Sequence, residues 1–177
     1  MKKLALALMF CGASAFAATV NYTTTGTFAS NGMTSIHVGA ASITFTGEAT
    51  TQYADAAGTF TQVGTFVVTG GATATFNDTF TLIIDQSSPV GIGVTATDVE
   101  GSISSNGSTI MLSFLPSSLN VNGAEWKFYN TPINQPSVNG GTTTLNEFVA
   151  APEPASLGLI GSSLVGLGLA FRRRFAK

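Results

Sequence analysis

Hydrophobic and polar residues alternate along most of the chain. Ile43 and Phe45 point away from Ser42, Thr44 and Thr46, and Ile110, Leu112 and Phe114 align in the same way. Phe76, Phe80, Leu82 and Ile84 share one parity, opposite Thr79, Thr81 and Asp85. From Thr59 to Val68, Phe60, Phe66 and Val68 fall on one face, with Thr59, Thr61, Thr65 and Val67 on the other. A period of two carried by β-branched and aromatic residues marks strands with one buried face. Between Ile92 and Ile103 the parity slips, from Ile92, Val94 and Ala96 to Val99, Gly101 and Ile103, and a bulge near Thr97 and Asp98 is the expected cause. A last strand is expected near Thr142–Val149. Turn signals separate these runs: Asn31-Gly32, Gly70-Gly71, Ser87-Ser88-Pro89, Asn106-Gly107, Asn122-Gly123 and Asn139-Gly140-Gly141. Roughly eight or nine short strands with such punctuation predict an all-β fold, an antiparallel β-sandwich of jelly-roll or immunoglobulin-like type over residues 18–150. That length supports a core without disulfides, and most of its nine phenylalanines should lie inside.

The two ends break the pattern. Lys2 and Lys3 precede the apolar run Leu4–Phe10, and small residues follow, ending in Ala15-Phe16-Ala17. This is the layout of a signal peptide, residues 1–17, cut by signal peptidase where Ala15 and Ala17 fill its narrow subsites. An uncleaved anchor is the alternative, although the run is shorter than the ~20 residues a span needs. Cys11 raises a lipoprotein signal as another, but Phe10 stands where a small residue is wanted. With the signal removed, no cysteine is left for a disulfide in the oxidising compartment that export implies.

At the other end, Ala155 to Phe171 is a run of seventeen residues without a charge, followed by Arg172-Arg173-Arg174. As a helix rising ~1.5 Å per residue it covers roughly 25 Å, the short end of what spans a bilayer. The expectation is one transmembrane helix over 155–171 with a basic tail over 172–177. The three arginines act as a stop-transfer signal and stay cytoplasmic, which leaves the acidic domain outside. Gly158, Ser162 and Gly166 recur at intervals of four and give the helix a face that another helix can approach closely. Pro152 and Pro154 keep the chain extended before the helix, with Glu153 held between them.

Together, Pro152-Glu153-Pro154, the Gly/Leu-rich span and the arginine cluster resemble a PEP-CTERM sorting signal, here residues 151–177. The resemblance covers about a sixth of the chain. It implies an exported protein of a Gram-negative bacterium, handled by exosortase, a membrane cysteine protease-like transpeptidase. It also implies that Pro152, Glu153 and Pro154 are recognition residues with processing near them, and that delivery goes with exopolysaccharide and biofilm. An ordinary single-pass anchor with incidental prolines is the alternative.

Charge placement sharpens this picture. The chain is 44% hydrophobic and only 9% charged, with a net charge of −2. Between residues 18 and 150 stand eight acids and a single base, Lys127, for a net −7. So acidic a domain offers no basic face for nucleic acid. It is also poor in catalytic groups. His37 is its one imidazole, and the surrounding Asn31-Gly32-Met33-Thr34-Ser35-Ile36 matches no nucleophile elbow. Scattered carboxylates always supply some pair for glycoside hydrolysis, so that signal is nearly empty. Asp98-Val99-Glu100 places two carboxylates two residues apart, a weak candidate for Ca²⁺ against the plainer reading of solvated strand-edge charge. Trp126, Phe128 and Tyr129 could offer a ring for stacking on sugar, or simply fill the core. Thr-x-Thr at 44–46, 59–61, 73–75, 79–81 and 95–97 has the composition of an ice-binding ladder without its constant spacing.

The expectation is therefore a non-enzymatic surface or extracellular-matrix protein that needs no cofactor. It passes the export machinery and exosortase, is held for a time in the inner membrane with its domain in the periplasm, and ends at the cell surface or outside, associated with exopolysaccharide. The alternative is a carbohydrate- or calcium-binding module of the same fold.

Overall fold

The structure, a computed structural model, describes residues 18–54, 56–151, 161 and 164. Its strands, in chain order, are β1 (Ala18–Phe28), β2 (Ser35–Val38), β3 (Ala41–Gly47), β4 (Ala49–Ala54), β5 (Thr59–Thr69), β6 (Ala74–Ser88), β7 (Val90–Ser104), β8 (Gly107–Ser108), β9 (Met111–Leu112), β10 (Ser118–Val121), β11 (Ala124–Lys127), β12 (Thr131–Pro132) and β13 (Thr142–Ala150). One sheet has the order β4-β1-β6-β7-β8, the second β10-β11-β13-β5-β3-β2, and β9 pairs with β12 in a small third. Every pairing is antiparallel. The strands outnumber the eight or nine expected because several are two-residue segments that no periodicity can reveal.

The two large sheets pack face to face over phenylalanines. Phe80 of the first sheet has ring centroids 4.8 Å from Phe45 and 4.9 Å from Phe66 of the second, and 5.2 Å from Phe28 of its own. Tilted and edge-on contacts at this spacing suit the aromatic quadrupole and add to the burial of large apolar area. Seven of the nine phenylalanines between residues 18 and 150 are buried, as the alternation predicts.

Phe60 is a correction. It was expected on the same face as Phe66 and Val68, yet it is exposed while Thr61 and Val63 point inward. The cause is a bulge: the β5–β13 register steps from Gly64 opposite Leu145 to Gln62 opposite Asn146, which leaves Val63 as the extra residue. One extra residue reverses the parity of everything before it. Gly64 sits at φ 155°, and a Cβ there would lie 2.4 Å from the Phe45 ring, so glycine serves both the bulge and the close packing. Carbonyls at the bulge find donors across the sandwich. The Tyr22 hydroxyl donates to the Gln62 oxygen at 2.6 Å, and the Thr24 hydroxyl donates to the Val63 oxygen.

The bulge expected near Thr97 and Asp98 is absent. The β6–β7 ladder runs unbroken from Ala74 opposite Ile103 to Ser87 opposite Val90. Gly93, Thr95, Thr97 and Val99 all face inward, and Ile92 and Val94 stand exposed. Inward threonines are tolerated because both hydroxyls are bonded. Thr95 donates to the Pro116 oxygen at 2.9 Å, and Thr97 accepts the Ser113 N–H at 2.7 Å. The Asn122-Gly123 hairpin behaves as predicted, with both residues at positive φ between the paired Val121 and Ala124.

Gly161 and Leu164 are helical, but the rest of the expected 155–171 span lies outside the described residues. Among the described residues no helix is long and apolar enough to cross a membrane.

Candidate functional site

The last strand before the tail is β13. This strand pairs with β5 from Thr142 to Val149, and its last residues, Phe148 to Ala150, are held on the other side by β11. Leu145 and Val149 point into the core, and Phe148 points out. Ala150 opposite Glu125 is the last ladder pair, and Ala151 after it is still buried. The residue that follows is Pro152. The tripeptide Pro152-Glu153-Pro154 therefore follows the last buried residue described, with no spacer between. Pro152, Glu153, Pro154, Arg172, Arg173 and Arg174 lie outside the described residues, as do Ala15 and Ala17.

Just inside the exit sits a buried acid. Glu147 shares parity with Leu145 and Val149, and that parity is the sequence signal that could have placed it inside. It is completely buried. Its Oε2 accepts the Tyr129 N–H at 2.8 Å, and its Oε1 has no partner. Burial disfavours the charged form and pushes its pKa up to about 8, with the Tyr129 hydrogen bond pulling weakly the other way. At neutral pH the side chain is mostly a neutral acid. Nearby, burial pushes the Tyr22 phenol up to about 12, against the bond to the Thr61 hydroxyl at 2.6 Å.

Trp126 is fully buried, so it offers no face to a sugar. Its indole N–H donates to Gln86 Oε1, and its ring meets Tyr22 edge-on at 4.9 Å. Gln86 in turn donates to the Pro89 and Val121 oxygens at 3.0 and 3.2 Å. Parity alone could not show that this buried glutamine is satisfied from both sheets. Phe128 is buried against Phe114, and only Tyr129 of the three aromatics is exposed. Tyr129 joins Phe60 and Phe148 in an outer row, with centroids 5.7 and 5.6 Å from Phe60. Lys127 lies 5.6 Å over the Phe148 ring and 3.3 Å from Glu125.

The remaining sequence candidates are dispersed. Asp98 and Glu100 stand exposed on the outer face of β7, where Asp98 accepts the Thr79 hydroxyl at 3.2 Å. Among the described residues no three His, Cys, Asp or Glu side chains gather to hold a metal. His37 is exposed on β2 opposite Ser42, whose hydroxyl is engaged with Thr69 at 2.7 Å. The Thr-x-Thr pairs do not share a face: Thr95 and Thr97 are buried, and Thr79 and Thr81 lie on the other side of the same sheet.

The exit geometry meets its counterpart in a family comparison. Residues 150–174 match the model of the PEP-CTERM protein-sorting motif. The motif starts on the last residue of β13, so the sorting element and the folded domain share Ala150. It marks the chain for export, for membrane anchoring through its carboxyl-terminal signal and for processing by an exosortase. No curated protein and no solved structure matches this chain.

Proposed function

We propose that this exported exosortase substrate is a non-enzymatic component of the cell surface or extracellular matrix, associated with exopolysaccharide and biofilm. The observation that carries the reading is the PEP-CTERM motif fused without spacer to the last strand of an all-β domain. The use made of the buried polar side chains supports it: Gln86, Tyr22, Thr24, Thr95 and Thr97 bond backbone carbonyls or amides and neighbouring side chains that hold the sheets together. In this reading the signal peptide delivers the domain, and the apolar span with Arg172–Arg174 halts transfer. The domain waits in the periplasm on its anchor, and the extended Pro-Glu-Pro handle is then read by the processing enzyme. Fractionating cells that carry Glu153→Ala tests this. The precursor should be exported yet stay in the inner-membrane fraction, while wild type leaves it. Release of the variant at the wild-type level would refute a role for the handle. A glycan array with and without calcium separates the reading from a binding module with a defined site.

A further inference from the structure

The register gathers several features at one end of the sandwich. Ala18 pairs with Ala54, Thr59 with Val149, Ser87 with Val90, and Glu125 with Ala150. The start of β1, the β4–β5 connection, the β6–β7 turn and the β10–β11 turn thus lie at the same end as Ala151, which precedes the tail in sequence. Asn122 ties the two turns together by donating to the Val90 oxygen at 3.0 Å.

Four of the large apolar side chains left in water stand near this exit end, while others, such as Leu115 and Met33, stand elsewhere. Tyr53 is 69% exposed, Phe60 62%, Val90 74% and Ile92 69%, from strands of both large sheets. Single exposed apolar residues need no explanation, but a collar of them around one end does. The length of the tether says what covers it. Ala151 is buried, and the apolar run begins at Ala155, so only Pro152, Glu153 and Pro154 stand between. Four extended steps reach at most about 14 Å. Once residues 155–171 are in the bilayer, the exit end is held within several ångströms of the headgroup layer, which itself extends about 5–8 Å beyond the hydrocarbon on each side.

We infer that the apolar collar of Tyr53, Phe60, Val90 and Ile92 is a membrane-docking surface that seats the domain on the outer leaflet of the bilayer holding its tail. The inference rests on the anchored precursor of the reading above. It adds that the domain stands on the lipid in one orientation, which holds Pro152-Glu153-Pro154 at the interface where an integral membrane enzyme can reach it. Because the domain carries −7, attraction to anionic lipid is not the source; partition of aromatic and aliphatic side chains into the interface is.

The test uses the full chain reconstituted in phosphatidylcholine vesicles, with lipid brominated near the top of the acyl chain as quencher. Phe60→Trp and Ile92→Trp place a probe in the collar on each of the two sheets, and Met33→Trp places one at the far end. Trp126, buried in the core, is common to all. Brominated lipid should reduce the added emission roughly twofold at both collar positions and leave the far-end probe unchanged, with little effect of salt. Equal quenching at the two ends overturns docking. A blue shift at the collar that grows with protein concentration and ignores brominated lipid also overturns it, by marking contact between copies. Flotation with the vesicles after carbonate washing reports the anchor separately. A chain that floats without collar quenching refutes docking and leaves the anchor standing, and a chain that fails to float refutes both.

Discussion

Replacing Glu147 by glutamine should flatten the pH dependence of stability. The acid has a pKa near 4.5 when unfolded and about 8 when buried in the fold. Below pH 4.5 it is protonated in both states, and its contribution is fully present. Between pH 4.5 and 8 only the unfolded chain ionises, so stability falls as pH rises through that window and levels off above it. At 1.36 kcal/mol per pKa unit the loss reaches at most about 5 kcal/mol, a large part of a typical domain's 5–15 kcal/mol. Glutamine keeps an oxygen to accept the Tyr129 N–H but cannot titrate. Its amide replaces the unpartnered Oε1 without gaining a known partner, which adds a pH-independent offset of about 1–3 kcal/mol. The diagnostic is therefore the slope. Urea unfolding of both proteins in detergent, followed by Trp126 fluorescence from pH 4 to 9, should give a wild-type curve that descends toward pH 8 and a clearly flatter variant curve. Parallel curves would show that Glu147 does not titrate through a buried neutral state, and the reasoning would fail.

Two further outcomes follow from the packing and the surface. Phe80→Ala empties the position where rings from both sheets meet and should cost about 3–5 kcal/mol in the same unfolding assay, far more than a change at exposed Tyr53. Asp98→Asn combined with Glu100→Gln should leave the melting temperature unchanged with or without millimolar calcium; a calcium-dependent rise that the double variant abolishes would reveal a bound ion.

Much of the architecture is legible in the sequence because alternation reports burial directly. Phe76, Phe80, Leu82 and Ile84 lie inside as their shared parity requires, and so do Ile110, Leu112 and Phe114. The reading fails where backbone and side-chain bonding override the period. The Val63 bulge turns Phe60 outward, and Gly64 is its one local signal, which does not fix the extra residue until the partner strand is known. Thr95 and Thr97 are pulled inward by bonds to the segment around residues 113–116, which lie distant in sequence. That reversal leaves Ile92 and Val94 in water and removes the need for the expected bulge. For the sorting motif the balance is different. Its chemistry is linear, so Pro-Glu-Pro, an apolar run and arginines can be read without any fold. What the sequence could not show is that the exposed Tyr53, Phe60, Val90 and Ile92 converge around the exit, because convergence depends on register.

The central claim is that the tail is a processed sorting signal attached to an exported domain. Mass spectrometry of the carboxyl terminus of the mature protein, from cells with and without exosortase, tests it most directly. With exosortase present, the account predicts a terminus near Pro152-Glu153-Pro154 that lacks the apolar run and Arg172–Arg174; without it, the tail should be retained. An intact terminus ending at Lys177 in exosortase-containing cells would contradict processing and leave a plain membrane anchor.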